Sequence, residues 1–198
     1  MKTSAVITVS FAFLLSSAPA WAGEINPYVG AIVGYDNVRG DTSFGSGSKG
    51  GVVYGGVAGV DLRYGNDAVI GAELEADGAS TSESATYSGV TGKVKAGRDL
   101  YAGIRTGFIM APHVLAYVKG GYTNARVTGS LTDSTGTYSA SENLSGWRLG
   151  AGAEIAQRGF RVRLEYRFSD YGELKPLGIS TGIDVKRHQV ALGVLLDL

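Results

Sequence analysis

Cysteine is absent from the 198 residues, so neither disulfides nor thiolate metal sites hold this chain together. Histidine occurs twice, which leaves little material for imidazole-based catalysis or a histidine-rich metal centre. Proline is scarce, at 4 residues against 31 glycines, a balance that suits strands and tight turns better than helices. From Gly23 onward no apolar run reaches the ~18 residues that a membrane-crossing helix needs. Charge of neither sign is in excess, with 18 basic and 18 acidic residues, and no basic patch of the kind that grips nucleic acid stands out. Glycine-rich phosphate loops and zinc-ligand spacings are missing as well.

The chain does open on a recognisable export signal. Met1-Lys2 precedes an apolar stretch from Ala5 to Leu15, and small residues close on Ala20-Trp21-Ala22 before Gly23. That order of basic start, short apolar core and A-x-A site predicts a cleavable secretory signal over residues 1–22, too short to span a bilayer. Residues 23–198 then form one domain.

Within that domain eight segments alternate with period two between an apolar or aromatic face and a polar, charged or glycine face. They are Pro27 to Tyr35, Gly51 to Tyr64, Val69 to Ala79, Asp99 to Met110, Val114 to Val127, Gly146 to Ala156, Phe160 to Ser169 and Asp184 to Leu198. The connections alternate too. Those at Gly65 to Ala68, Ala111 to His113 and Gln157 to Gly159 are tight, whereas Asp36 to Gly50, Ser80 to Arg98, Thr128 to Ser145 and Asp170 to Ile183 are long and read as solvated, mobile loops. Short turns on one side and long loops on the other predict an all-β fold, an eight-stranded antiparallel transmembrane up-and-down β-barrel with the long loops outside.

Which face meets lipid follows from the charges. The face that carries Val29, Leu62, Leu74, Ile104, Val118, Leu149, Leu164 and Leu192 has no charged residue on any strand. The opposite face holds Asp61, Arg63, Glu73, Glu75, Asp77, Arg105, Lys119, Arg148, Glu154, Arg161, Arg163, Glu165, Arg167 and Asp197. A soluble ligand-carrying barrel would reverse this, with charges on the wet exterior. An Arg or Lys facing lipid at mid-bilayer costs about 2–4 kcal/mol, so the charged face must turn inward. Aromatics near strand ends, Tyr35, Tyr54, Trp147 and Phe168 on one side and Tyr64, Phe108 and Phe160 on the other, fit two interfacial girdles.

Eight strands enclose a space that side chains can fill. The inward acids and bases are therefore expected to form a packed ion-pair network in place of a diffusion channel. Glu73 and Glu75 should approach Arg105, Lys119 should approach Glu154, and Glu154 should reach Arg161 or Arg163. The pair Glu73 and Glu75 has the spacing of an acid/base couple or a metal site, but so many bases on the same face favour ion pairing. No catalytic residue, cofactor or metal is expected.

The segments Gly146-Trp147-Arg148-Leu149-Gly150-Ala151-Gly152-Ala153-Glu154 and Arg163-Leu164-Glu165-Tyr166-Arg167-Phe168-Ser169-Asp170-Tyr171-Gly172 resemble the sixth and seventh strands of the small porin-family outer-membrane proteins. These are the surface-antigen and opacity-like barrels typical of alphaproteobacteria, OmpA-type barrels without a periplasmic domain. Pro27-Tyr28-Val29-Gly30, Val69-Ile70-Gly71-Ala72-Glu73 and Ala116-Tyr117-Val118-Lys119-Gly120-Gly121-Tyr122 are similar to the same family, in the same order along the chain. The resemblance implies a Gram-negative outer-membrane location, contact with membrane lipid and lipopolysaccharide, a structural and surface-exposed role, and insertion through the family's barrel-assembly machinery. Such barrels usually end on an aromatic residue, and this chain ends on Leu198; Leu192, Val194, Leu196 and Leu198 keep the alternation of that signal. No soluble domain is expected after the last strand.

Three sharper readings compete with a structural role. One is a narrow porin-like channel. A second is an adhesin with an unknown extracellular ligand, since Arg39-Gly40-Asp41 falls in the first long loop and resembles the integrin-binding tripeptide. The third is an outer-leaflet lipid hydrolase built on His188 with Ser180, Thr181 and Asp184 nearby in sequence. His113, after Pro112, reads as a solvated turn residue. The expectation for the whole is a non-enzymatic outer-membrane barrel that displays surface loops.

Overall fold

The computed structural model describes residues 24–42, 45–87, 90–132, 134, 136–173 and 184–198. The export signal expected over residues 1–22 lies outside the described residues. Nine strands run in chain order: β1 (Glu24–Thr42), β2 (Gly45–Tyr64), β3 (Ala68–Ala79), β4 (Ser82–Tyr87), β5 (Val90–Ala111), β6 (Val114–Thr132), β7 (Thr137–Gln157), β8 (Phe160–Glu173) and β9 (Asp184–Asp197). Each pairs antiparallel with its neighbour, and β1 pairs with β9 from Tyr28↔Asp197 to Asp41↔Asp184. β3 and β4 both pair with β5 and together occupy one place in the ring, so the closed barrel has eight positions. Closure removes every free edge at membrane depth, the condition for backbone to cross hydrocarbon without unsatisfied amides.

Local chemistry explains the hairpins. Gly65 and Gly159 adopt the left-handed conformation at φ 63° and 82°. The third short turn places His113 at φ 69° after Pro112, the positive φ that a type II turn requires at its second central residue. His113 is exposed, as a turn residue should be.

Alternation along the strands turns the apolar set outward. Leu74, Ile104, Val118, Leu149, Leu164 and Leu192 are all about half exposed or more on the outer wall. Tyr35, Tyr54, Tyr122 and Trp147 ring the end near the long connections, and Tyr64, Phe108 and Phe160 the end near the short turns. Large apolar side chains on the exterior and guanidinium groups within are the inverse of a water-soluble core, and they place lipid around the wall.

The strands are longer than the sequence pattern predicts. Crossing a bilayer takes about 9–11 residues of tilted strand, yet β5 has 22 residues, β7 has 21 and β6 has 19. The excess lies on the long-connection side. Segments expected to be mobile loops instead continue the ladders: β1 stays paired with β2 as far as Thr42↔Gly45, and β6 with β7 as far as Thr132↔Thr137. Ser, Thr and Gly there read as loop composition, but cross-strand hydroxyl pairs such as Thr132 to Thr137 at 3.0 Å make them a solvated sheet. Of the fourth expected loop, β8 takes up the part to Glu173, and residues 174–183 lie outside the described residues.

Candidate functional site

The interior is the candidate site, and it is ionic. Eight acids (Asp36, Asp61, Glu73, Glu75, Asp77, Asp99, Glu154 and Glu165) and seven bases (Arg105, Lys119, Arg148, Arg161, Arg163, Arg167 and Arg187) are buried inside the wall. They arrange in tiers because each strand contributes every second residue to the inside.

The tier nearest the short turns joins Asp61, Arg105, Glu154, Arg161 and Arg163. Arg161 lies 2.9 Å from Asp61 and 2.8 Å from Glu154, while Arg105 and Arg163 each approach Glu154 at 2.8 Å. The Tyr28 ring fills the space among them, with the Arg161 guanidinium 4.4 Å from its centroid, and its hydroxyl donates to Glu73 at 2.6 Å. In the middle tier the Lys119 ammonium sits among three carboxylates, 2.8 Å from Glu73, 2.6 Å from Glu75 and 2.7 Å from Glu165. Tyr117 donates to Glu165, and Arg105 stacks 4.2 Å over its ring. The next tier couples Arg148 and Arg167 to Glu75 at 3.0 and 2.8 Å. At the far end Arg187 grips Asp36 through two nitrogens at 2.6 and 2.8 Å and Asp99 at 2.7 Å; Arg148 and Tyr171 also donate to Asp99.

Several sequence expectations shift in detail. Lys119 does not meet Glu154. It lies opposite Gly150 on β7, so Glu154 is four residues further toward the short turns, about 13 Å along the strand. Glu154 takes both Arg161 and Arg163, and Arg105 besides. Of the two carboxylates expected near Arg105, Glu73 is 3.5 Å away, whereas Glu75 is four residues out of register with it and turns to Lys119, Arg148 and Arg167. Arg63 is not in the packed interior: it stands at the mouth, half exposed, 3.8 Å from Glu24. The Glu73, Glu75 and Glu165 oxygens come together tightly enough to bind a metal ion, but Lys119 already supplies the cation there.

The Arg39-Gly40-Asp41 tripeptide is not in a loop. Its residues pair with Ser48, Gly47 and Ser46 on β2 and with Lys186, Val185 and Asp184 on β9, because the ladders run on past the girdle. His188 faces outward, its Nδ1 2.7 Å from the Tyr166 hydroxyl and its ring 5.0 Å from Phe168. It is part of the aromatic girdle, and Ser180 and Thr181 lie outside the described residues.

Asp36, Asp99, Arg187 and the inward tyrosines Tyr28, Tyr101, Tyr117 and Tyr171 are buried in the interior beside the charges that the sequence pattern singles out. All seven lie on the inward parity of their strands: Asp99 and Arg187 fall within the expected segments, and Asp36 is one residue past the end of the first.

Comparison with known proteins agrees with this architecture. The 31 kDa outer-membrane immunogenic proteins of Brucella melitensis biotype 1 and Brucella suis biovar 1 are each 28% identical over 159 residues, 74% of this chain and 66% of theirs. The chain thus spans just under two thirds of those relatives. Among solved structures, Ail of Yersinia pestis, crystallised with the heparin analogue sucrose octasulfate, superposes with a TM-score of 0.50 at 14% identity, covering 86% of this chain and 99% of Ail. Neisserial surface protein A gives 0.50 at 15% identity, covering 86% and 96%. These neighbours share the eight-stranded barrel fold. The family model for the outer membrane protein beta-barrel domain matches residues 8–196, and the chain belongs to that family, a barrel of the Gram-negative outer membrane.

Proposed function

We propose that this protein is a sealed structural scaffold of the outer membrane, which holds a rigid β-ribbon platform above the surface and passes no solute through its interior. The observation that supports this reading is the contact of opposite walls: Arg163 on β8 and Glu73 on β3, four positions apart in the ring, meet at 2.7 Å. A conducting path needs a file of water, and interior width here is taken up by paired side chains and tyrosine rings. On the short-turn side a vestibule of about 330 Å³ opens between Arg63, His113 and Asp197, and it ends on Asp61, Glu154 and Arg161.

In this reading residues 1–22 are removed on export, and β9 carries the signal for the insertion machinery. Membrane lipid and lipopolysaccharide are the partners of the outer wall. A narrow channel is the competing function, and one measurement separates the two. Refolded protein in a planar bilayer should show no unitary conductance steps; reproducible ion-selective steps from the parent protein would replace the scaffold with a pore.

A further inference from the structure

Above the outer aromatic girdle, β4, β5, β6 and β7 continue as a four-stranded sheet, and its outward face has an unusual composition. Antiparallel partners directly opposite each other share a face. Ser82, Lys95, Thr128 and Ser141 therefore stand abreast, and Ser84, Lys93, Ser130 and Ser139 form the row above them. A third row, Thr86, Thr91, Thr132 and Thr137, is entirely threonine. No acid and no large apolar residue interrupts these rows. Just below them, Arg98 and Arg126 are both exposed and lie beside each other where the β5–β6 register shifts between Ala96 and Asp99.

That bulge is what gathers the bases. Asp99 points inward to Arg148 and Arg187; in a regular strand Lys95 and Lys93 would share its parity and point inward too. One extra residue reverses the parity, so that Arg98, Lys95 and Lys93 all emerge on the outside. Bulges commonly re-aim side chains at barrel rims in this way. None of Lys93, Lys95, Arg98 and Arg126 forms an ion pair among the described residues.

We propose that this face binds the acidic core saccharide of lipopolysaccharide molecules anchored beside the barrel. Its position argues for that occupant over a soluble one. The face is the direct upward continuation of the lipid-contacting wall, beginning where Tyr122 and Trp147 mark the interface. The Tyr122 hydroxyl donates to Ser145 at 2.7 Å, which starts the polar surface one step above the ring. From Tyr122 to Ser130 the strand climbs roughly 20 Å along the membrane normal at the usual rise and tilt, the layer that the inner sugars of the surrounding leaflet occupy. Bases at that height meet carboxylate and phosphate groups on the sugars, and the hydroxyl rows offer both donors and acceptors to the sugar hydroxyls. The proposal rests on outer-membrane placement and not on the sealed lumen, so a conducting barrel would leave it standing.

The test uses the full chain refolded into phosphatidylcholine nanodiscs and titrated with purified rough lipopolysaccharide, with lipid A lacking core sugars, and with a soluble heparin oligosaccharide. The parent should bind the core-bearing lipopolysaccharide more tightly than lipid A, with affinity that falls as salt is raised. A Lys93→Gln/Lys95→Gln/Arg98→Gln/Arg126→Gln variant should lose tenfold or more of that affinity, and Arg158→Gln, on a short turn at the other end, should lose none. If the fourfold variant fails to give the folded band on a gel, Lys93→Gln/Lys95→Gln, confined to strand above the membrane, should still lose about threefold. Unchanged affinity in the folded variants, or lipid A binding as tightly as core-bearing lipopolysaccharide, overturns the assignment, as does heparin binding tighter than either.

Discussion

Arg163 and Glu73 meet across the full width of the barrel, from strands as far apart as an eight-membered ring allows, with guanidinium and carboxylate 2.7 Å from each other. They are ninety residues apart in sequence, and the contact ties opposite walls together. Arg163 also holds Glu154 at 2.8 Å, so its removal takes a cation from two buried carboxylates at once. A buried pair adds little over an apolar substitute of equal volume, but breaking one from a single side costs about 3–5 kcal/mol. Arg163→Ala should therefore lower the urea midpoint of the folded, heat-modifiable band by that equivalent. An unchanged midpoint would mean that the interior is loosely packed and water-bridged.

Lys119 offers the sharpest contrast within the molecule. Its ammonium is the shared partner of Glu73, Glu75 and Glu165, whereas Arg63 has one exposed partner at 3.8 Å. Lys119→Met keeps the length of the side chain and deletes the charge, and it should cost at least about 3–5 kcal/mol; Arg63→Met should cost about 0–1 kcal/mol. Adding Glu75→Gln to Lys119→Met should recover about 1–3 kcal/mol through coupling, since one repelling carboxylate is then neutral. Equal losses for the two single variants, or a purely additive double variant, would refute the central role of Lys119.

Much of this was legible from period-two alternation alone. Twelve of the inward charges, from Asp61 through Arg167, are buried where their parity puts them, and Leu164 and Leu192 face outward for the same reason. Register was not legible. Whether Lys119 meets Glu154 or Glu165 depends on which residue of β7 stands opposite it, and a chain of glycines such as Gly150 and Gly152 carries no side-chain signal that fixes that choice. Strand ends were also lost, because Thr128 to Ser145 has the composition of a loop while its hydroxyl pairs hold a ladder together. The β5 bulge, invisible in composition, decided which of Asp99 and Lys95 went inside.

Glycine and tyrosine form a second device in the interior. A Cβ on Gly59 would run into the Tyr28 ring, and one on Gly152 would meet the Tyr117 ring, its nearest ring atom 2.9 Å away. Each tyrosine lies flat over the bare backbone of the neighbouring strand, at Tyr28↔Gly59 and Tyr117↔Gly152, and so keeps the hydroxyl on a carboxylate. Gly152→Ala should push Tyr117 from Glu165 and destabilise the barrel by about 1–3 kcal/mol, the usual cost of overpacking. Adding Tyr117→Phe should restore only part of it, because removing the hydroxyl at 2.7 Å leaves the Leu164 carbonyl oxygen at 2.6 Å and the ring carbon at 2.9 Å. Gly129→Ala is the control: nothing lies near a Cβ at that position, and its unfolding midpoint should hardly move.

The outer wall gives a prediction whose sign differs from that of a water-soluble protein. Leu164 sits midway between the girdle residues Phe160 and Phe168 of β8, 54% exposed, and in a soluble barrel an exposed leucine changed to arginine would be neutral or would improve solubility. Here the neighbour of that side chain is hydrocarbon, so Leu164→Arg should cost about 2–4 kcal/mol, while Tyr64→Arg, at the rim near the short turns, should cost about 0–1 kcal/mol. Unfolding of both variants from phospholipid vesicles, followed by tryptophan fluorescence, measures the difference. Equal costs at the two depths would contradict a bilayer-spanning wall, because only a medium whose polarity changes along the barrel axis can separate two arginines that are both fully outside the fold.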